Sequence, residues 1–401
     1  MKPLYDVVSQ GLIHSWKPVK AAKAGRAYRC RCSRPVFFRN SECLACHAPL
    51  GFEPLLGELG ALQPGDAEGL WRLENGDGAQ YRRCANFEQI GCNWLIPADS
   101  DATLCLSCVL NRTIPDLSEP ENLAYWQSIE IAKRQLVAQL LALGLPVRSK
   151  VSDDPDNGLC FDFLKSLPDG PRVLTGHDEG LITLNVEEAD DARREAMRKQ
   201  LGEPYRTLLG HLRHEVGHYY WDVLVRDSHW LEPYRALFGD ESFDYATALQ
   251  QHYENGPPAD WPQQFVSAYA TSHPWEDWAE TWAHYLHLVD TMNTALAFGL
   301  NAEDVEVDTE PFGSDALYDP QHPGAGQFLY FINAWVDLVT ILNELSRSMG
   351  QRDFYPFVMS RPVVAKLHFI HLVIEDARDQ HLQAQDGGVE AATTMAEPVV
   401  S

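Results

Sequence analysis

Positive charge is scarce in this chain. Its 32 lysines and arginines stand against 57 aspartates and glutamates, a formal net charge of −25. Phosphate contacts need clustered cations, so a general nucleic-acid binder is disfavoured. Long apolar runs are missing too. Segments such as Leu136–Val147 and Val363–Ile374 are too short to cross a bilayer, and no membrane partner is expected. The first residues show no continuous apolar stretch behind a charged start, so no export signal is expected either. Cysteine is almost absent beyond position 108, where Cys160 stands alone and reads as a small buried hydrophobe. No internal repeat is visible.

What positive charge there is gathers at the start. Lys2, Lys17, Lys20, Lys23, Arg26, Arg29, Arg31 and Arg34 face the single acid Asp6. Such an arm can meet an acidic partner, the protein's own body or nucleic acid; a solvated extension is the plainer reading.

The eight remaining cysteines fall between Cys30 and Cys108 in short-spaced pairs. Without an export signal, that pattern points to thiolates on metal rather than disulfides, and a reducing cytoplasm suits them. Cys30, Cys32, Cys43 and Cys46 form one four-thiolate set; Cys84, Cys92, Cys105 and Cys108 form a second. Closed thiolate sites are structural. Zinc there would supply folding energy to a Cys-, Gly-, Pro- and Arg-rich stretch with only short strand-like pieces such as Val36-Phe37-Phe38. Other arrangements fit the same residues: cross-pairing, a single site with spare thiols, His47 replacing one cysteine, or iron. Redox chemistry at Cys-x-x-Cys is a further alternative, but no βαβ context supports it.

At 401 residues the chain has room for two or three domains of about 150 residues each. A Pro-rich hinge at Ile114–Pro120 closes the cysteine region. Helical spacing of apolar residues then predicts helices over Glu121–Leu143, which stops at Gly144 and Pro146, and over Tyr205–Val225. Further helices are expected at Asp244–Tyr253, Trp275–Thr291, Gln327–Met349 and Pro362–Gln380. Extended runs are expected at Leu159–Leu164, Arg172–Thr175 and Leu181–Val186. Gly299–Asp319 reads as an acidic loop. The expected fold is α+β: a basic extension (1–28), a small ribbon-like cysteine region with two four-cysteine sites (29–113), a mostly helical domain with a small sheet (114–382), and a disordered tail (383–401).

His214-Glu215-Val216-Gly217-His218 lies inside the Tyr205–Val225 helix. Positions i and i+4 share a helix face, so both imidazoles can meet one zinc. Glu215, offset from that pair, can act as general base on a water that the metal makes acidic. A catalytic zinc of this type needs a third protein ligand. Pro274–His284 is the best source, because Glu276 and Glu280 stand one turn apart among Trp275, Trp278 and Trp282. One acid can bind metal while the other orients a ligand histidine, a role that suits Glu280. His284 and His287 are fallback ligands on the same face, although histidines satisfied by helix packing are the plainer reading.

Glu276-x-x-x-Glu280 after a distant His-Glu-x-x-His resembles the glutamate zincins, in which the first acid binds zinc and the second supports a histidine. Ser267-Ala268-Tyr269 followed by Glu276 and Ala279-Glu280 is similar to the lethal-factor type of toxin protease. By that resemblance Tyr269 would donate to the oxyanion of the tetrahedral intermediate; a plain core aromatic is the alternative. From Cys30 to His287 the chain also resembles a bacterial family of zinc-binding metallopeptidases with an N-terminal zinc ribbon. The blocks that carry this are Cys43-x-x-Cys46 with Leu50-Gly51-Phe52, Cys105-Leu-Ser-Cys108 with the following Asn-Arg-Thr-Ile-Pro-Asp-Leu, and Leu212 to Asp222. The tight Cys30-Arg31-Cys32 and the longer basic start depart from that pattern. In zincins the strand before the active helix borders the cleft and pairs with substrate, which would make Leu181–Val186 that edge.

The expectation is a zinc metallopeptidase of the glutamate-zincin type, with one catalytic and two structural zinc ions and a peptide or protein substrate. The alternative is a zinc-ribbon binding protein whose peptidase domain is degenerate. A third reading has the basic start and ribbons engage nucleic acid, which the whole-chain charge opposes.

Overall fold

A computed structural model describes residues 27–166, 173–300 and 312–394, with Gly170 and Val307 between them. Residues 1–26 of the basic extension, Arg172 of one expected strand, residues 301–306 and 308–311 of the acidic loop and residues 395–401 lie outside the described residues.

The cysteine region is more regular than its composition suggests. After a two-strand pair, β1 (Tyr28–Arg29) and β2 (Pro35–Val36), the chain forms an antiparallel meander. Its strands are β3 (Leu50–Glu53), β4 (Glu58–Pro64), β5 (Trp71–Leu73), β6 (Gln80–Arg83) and β7 (Leu95–Pro97). A bridge between Phe52 and Trp94 brings the last strand back towards the first. A short helix, α1 (Phe87–Ile90), ends at Gly91 with φ 64°. From its composition this stretch is expected to bury little on its own; in the structure it buries apolar residues together with the helices. Leu50, Phe52, Leu59, Ala61 and Trp94 are buried, and they belong to the same apolar cluster as the helices that follow.

The second sheet has the order β10-β11-β9-β8. It comprises β8 (Asn111–Thr113), β9 (Cys160–Leu164), β10 (Gly176–Asp178) and β11 (Leu181–Asn185), with β8–β9 and β9–β11 parallel and β10–β11 antiparallel. Cys160, in β9, is fully buried. The expected edge strand is therefore corrected. β11 has partners on both sides, because the Glu179-Gly180 turn folds β10 back onto it, with φ 84° at Gly180. The free edge belongs to β10. No strand forms over the described part of Arg172–Thr175.

Helices supply the rest. α2 (Pro120–Ala142) begins with proline in its first turn and is followed by Gly144 at φ 74°. α3 (Asp191–Leu201) and α5 (Leu231–Phe238) were not expected; α3 is highly polar, and none of residues 191–200 is buried. α4 (Leu208–Leu224) starts at Thr207, whose hydroxyl accepts from the Gly210 amide. α6 (Tyr245–Asn255) is capped the same way by Asp244. α7 (Pro274–Ala297) has its start set by His273, which accepts from the Trp275 amide. α8 (Ala325–Ser348) and α9 (Arg361–Thr394) complete the order. α9 continues past the expected end at Gln380, through part of the segment read as a tail.

Among the described residues one helix, α8, is long and apolar enough to cross a bilayer by length and composition, which the shorter runs named above did not reveal. Its apolar face, including Phe328, Phe331, Ile332, Trp335 and Leu338, is buried in the core.

α4 and α7 form the centre. Gly217 allows their close approach: a Cβ there would sit 3.1 Å from the Ala279 Cα. The Trp278 indole donates to the Gly217 carbonyl at 2.9 Å, and the Tyr220 and Trp282 rings stack at 5.1 Å.

Candidate metal centre

The α4–α7 packing brings His214 and His218 opposite Glu276. One ligand atom from each lies within 4.8 Å of the others. The His214 and His218 Nε2 atoms stand 3.0 and 3.5 Å from Glu276 Oε2. Ligands about 2.1 Å from a tetrahedral zinc are about 3.4 Å apart, so these separations fit.

Hydrogen bonding argues the same point. His214 Nδ1 is 2.7 Å from Glu280 Oε1, and Glu280 Oε2 accepts from the Ser267 hydroxyl at 2.6 Å. With its Nδ1 proton directed to Glu280, a neutral His214 turns its Nε2 lone pair towards Glu276 Oε2. That oxygen is buried and has no hydrogen-bond partner. An acceptor facing an acceptor calls for a cation between them. Otherwise a proton, on His214 Nε2 or on the Glu276 carboxyl, must relieve the contact. Burial alone would depress the His214 pKa, yet Glu276 and Glu280 hold it well above its ordinary value. Burial likewise works to raise the Glu276 carboxyl, but the two histidines hold it well below the usual range. The donor set suits zinc.

Glu280 lies against His214 Nδ1, and Ser267, quoted in the sequence without a role, anchors its second oxygen. Glu215 is buried beside His214 on α4. Tyr269 places its ring 5.9 Å from that of His214. Burial chiefly, with the charges of Glu276 and Glu215 adding, keeps its phenol protonated and able to donate.

The fallback ligands His284 and His287 have other partners. His284 Nδ1 bonds the Tyr355 hydroxyl at 2.7 Å, and His287 Nδ1 lies 2.7 Å from Arg213. Arg213 also reaches Gln139 and Asp290, tying α4 to α2 and α7.

Two neighbours escaped the sequence reading, and a third, Trp275, was noted only for flanking Glu276. Tyr245, at the start of α6, donates its hydroxyl to Glu276 Oε1 at 2.6 Å, leaving Oε2 to the histidines. Thirty-one residues separate the pair, and no local spacing signals the contact. Trp275 packs against the His218 ring with centroids 4.0 Å apart. His177, on β10, lies nearly parallel to His218 at 6.2 Å and accepts the Gly180 amide through Nε2. Burial, first, and the His218 charge lower its pKa to about 3.

Both cysteine sets come together as grouped in the sequence. Sγ–Sγ distances are 3.5 Å for Cys30–Cys46, 3.7 Å for Cys32–Cys43, 3.6 Å for Cys92–Cys105 and 3.7 Å for Cys92–Cys108. Four sulfurs about 2.3 Å from a central zinc stand about 3.8 Å apart, whereas a disulfide requires about 2.05 Å. Backbone amides of Ala45 and Cys46 lower Cys43 to about 6, which favours the thiolate a metal needs. His47 instead contacts Glu42 at 2.6 Å on the surface.

Residues 122–373 match a family described as "Putative zinc-binding metallo-peptidase", and residues 27–119 match a zinc-ribbon domain. Two uncharacterized proteins, one from Mycobacterium tuberculosis and one from Mycobacterium bovis, are each 41% identical over 353 residues, covering 88% of this chain and 96% of theirs. No solved structure matches the chain.

Proposed function

The chain belongs to this zinc-binding metallopeptidase family, and from that premise we propose that it hydrolyses peptide bonds of a peptide or protein substrate. His214, His218 and Glu276 would hold the catalytic zinc, and the two cysteine sets would each hold a structural one. The observation that carries the reading is the buried Glu276 oxygen, unpartnered and facing two imidazole nitrogens.

When bound, zinc lowers the pKa of water towards about 7 and polarises the scissile carbonyl. Glu215 accepts the proton from the attacking water and returns it to the leaving nitrogen as the C–N bond breaks. Tyr269 donates to the oxygen that gains charge. Glu280, braced by Ser267, fixes which His214 nitrogen faces the metal. The buried knuckle of Cys84, Cys92, Cys105 and Cys108 needs reduced thiols, in keeping with a cytoplasmic setting.

Metal analysis combined with a peptide library tests this reading. Wild type should cleave members of the library. Glu215→Gln should keep its zinc and lose at least about 10²-fold in turnover. A wild type that cleaves nothing, or a Glu215→Gln protein that cleaves normally, would sink it.

A further inference from the structure

His214, Glu215, His218 and Glu276 are each less than a tenth exposed. Side chains so covered leave a peptide little open surface at the centre. The cover includes α6. Its first residue, Tyr245, bonds Glu276 Oε1. Farther along, the His252 ring lies 6.1 Å from that of Tyr269, which in turn neighbours His214.

α6 is weakly held for an element in that position. It is an 11-residue helix with no buried residue. Phe243 and Tyr253 are 66% and 64% exposed. Besides the Tyr245 bond, its ties to the body include His273 Nε2 to the Phe243 carbonyl at 3.1 Å and Thr271 to His252 Nδ1 at 3.3 Å. A cavity of about 530 Å³ separates Thr247, Ala248 and Gln251 on one side from Phe265, Ala270 and Pro274 on the other. Few buried apolar contacts and an underlying void characterise segments that open at low cost.

A glycine with positive φ lies at each end of the segment. Gly239 has φ 107° and ψ 176°, and Gly256 has φ 71° and ψ 175°. Those backbone angles are accessible essentially to glycine alone. An added Cβ at Gly256 would meet nothing within 4 Å, so the glycine is required by conformation and not by space.

We propose that Tyr245 is a positioning residue for the metal centre, carried on a lid formed by α6 that opens at Gly239 and Gly256 to admit the peptide. This rests on the peptidase reading. Closing restores the Tyr245 bond to Glu276 Oε1, which turns Oε2 towards His214 and His218. Opening removes that bond and exposes the centre, so substrate entry and the hold on Glu276 are coupled. Tyr245 acts through Glu276 and takes no part in proton transfer.

The test uses the full, zinc-loaded chain and two variants. Tyr245→Phe removes the latch oxygen and little else. Gly256→Ala touches no side chain at the centre but strains the closed backbone. Hydrogen exchange should be at least several-fold faster in 245–255 than in the motif helix 208–224, and faster again in both variants. Zinc release to a chelator, read in the phase that His214→Ala lacks, should accelerate about 10- to 100-fold in Tyr245→Phe. It should also accelerate in Gly256→Ala. The proposal is overturned if 245–255 is protected as strongly as 208–224, or if either variant releases zinc at the wild-type rate. Neither measurement needs turnover. A wild type inert towards peptides, which would sink the peptidase reading, is thus distinguishable from a failed latch.

Discussion

Glu280 shows how much one carboxylate outside the ligand set controls. One oxygen takes the His214 Nδ1 contact and the other accepts from Ser267, so the imidazole is held in a single orientation. Removing Glu280 leaves a buried N–H without its acceptor and frees the ring to rotate. Glu280→Ala is therefore expected to weaken zinc at this site about 10- to 100-fold, and Ser267→Ala by less, as read by chelator competition. Equal affinities for wild type and Glu280→Ala would show that the Glu280 contact is dispensable. The ligand set was legible because helix geometry turns His214-x-x-x-His218 and Glu276-x-x-x-Glu280 into faces. Tyr245 was not, because its contact arises from how α6 lies across α7. His284 and His287 share spacing with the acids, but spacing cannot show that Tyr355 and Arg213 claim them.

α9 carries His368 and His371, which pack their rings against Phe328 of α8, while Tyr285 of α7 meets His371 Nδ1 at 2.9 Å. The Asp319 amide faces His368 Nδ1; His322 lies near His368, and Glu375 and Arg378 lie near His371. Burial, first, lowers His368 to about 4 and His371 to about 3. A histidine whose folded pKa is depressed resists a proton that the unfolded chain accepts near 6.5. Stability is therefore complete above that value and declines as pH falls towards 4, by at most about 1.4 kcal/mol per pH unit for each histidine. Denaturant unfolding at pH 7 and pH 5 should show this decline, and His368→Phe should make it shallower. An unchanged pH dependence in that variant would assign the decline elsewhere. At this scale the long helices were readable from apolar spacing and from stops such as Gly144. α3, polar and with none of residues 191–200 buried, offered no such pattern. The order of strands was hidden as well, since β11 looks like an edge until the Glu179-Gly180 turn lays β10 beside it.

Across the whole molecule, the cysteine region and the helices share one apolar core. Cys84, Cys92, Cys105 and Cys108 are buried in the same cluster as Phe52, Trp94, Trp126 and Leu136. The strand β8, just after Cys108, pairs with β9 inside the helical part. The sequence suggested a ribbon that metal must hold together by itself. Its five-strand meander went unseen because strands of three or four residues leave almost no periodicity to read. The shared core gives the two kinds of metal site different thermal consequences. Cys105→Ser should remove one zinc and, because the knuckle is wedged into the common core, lower the melting temperature of the entire chain. His214→Ala should also remove one zinc, yet it vacates a centre whose surroundings, Arg213 with Gln139 and Asp290 and the Gly217 contact with α7, persist without metal. Its melting temperature should move far less. Calorimetry with metal analysis on both variants decides the matter: equal shifts, or a separate low-temperature transition confined to the ribbon in Cys105→Ser, would mean that the two parts unfold independently despite their common interior.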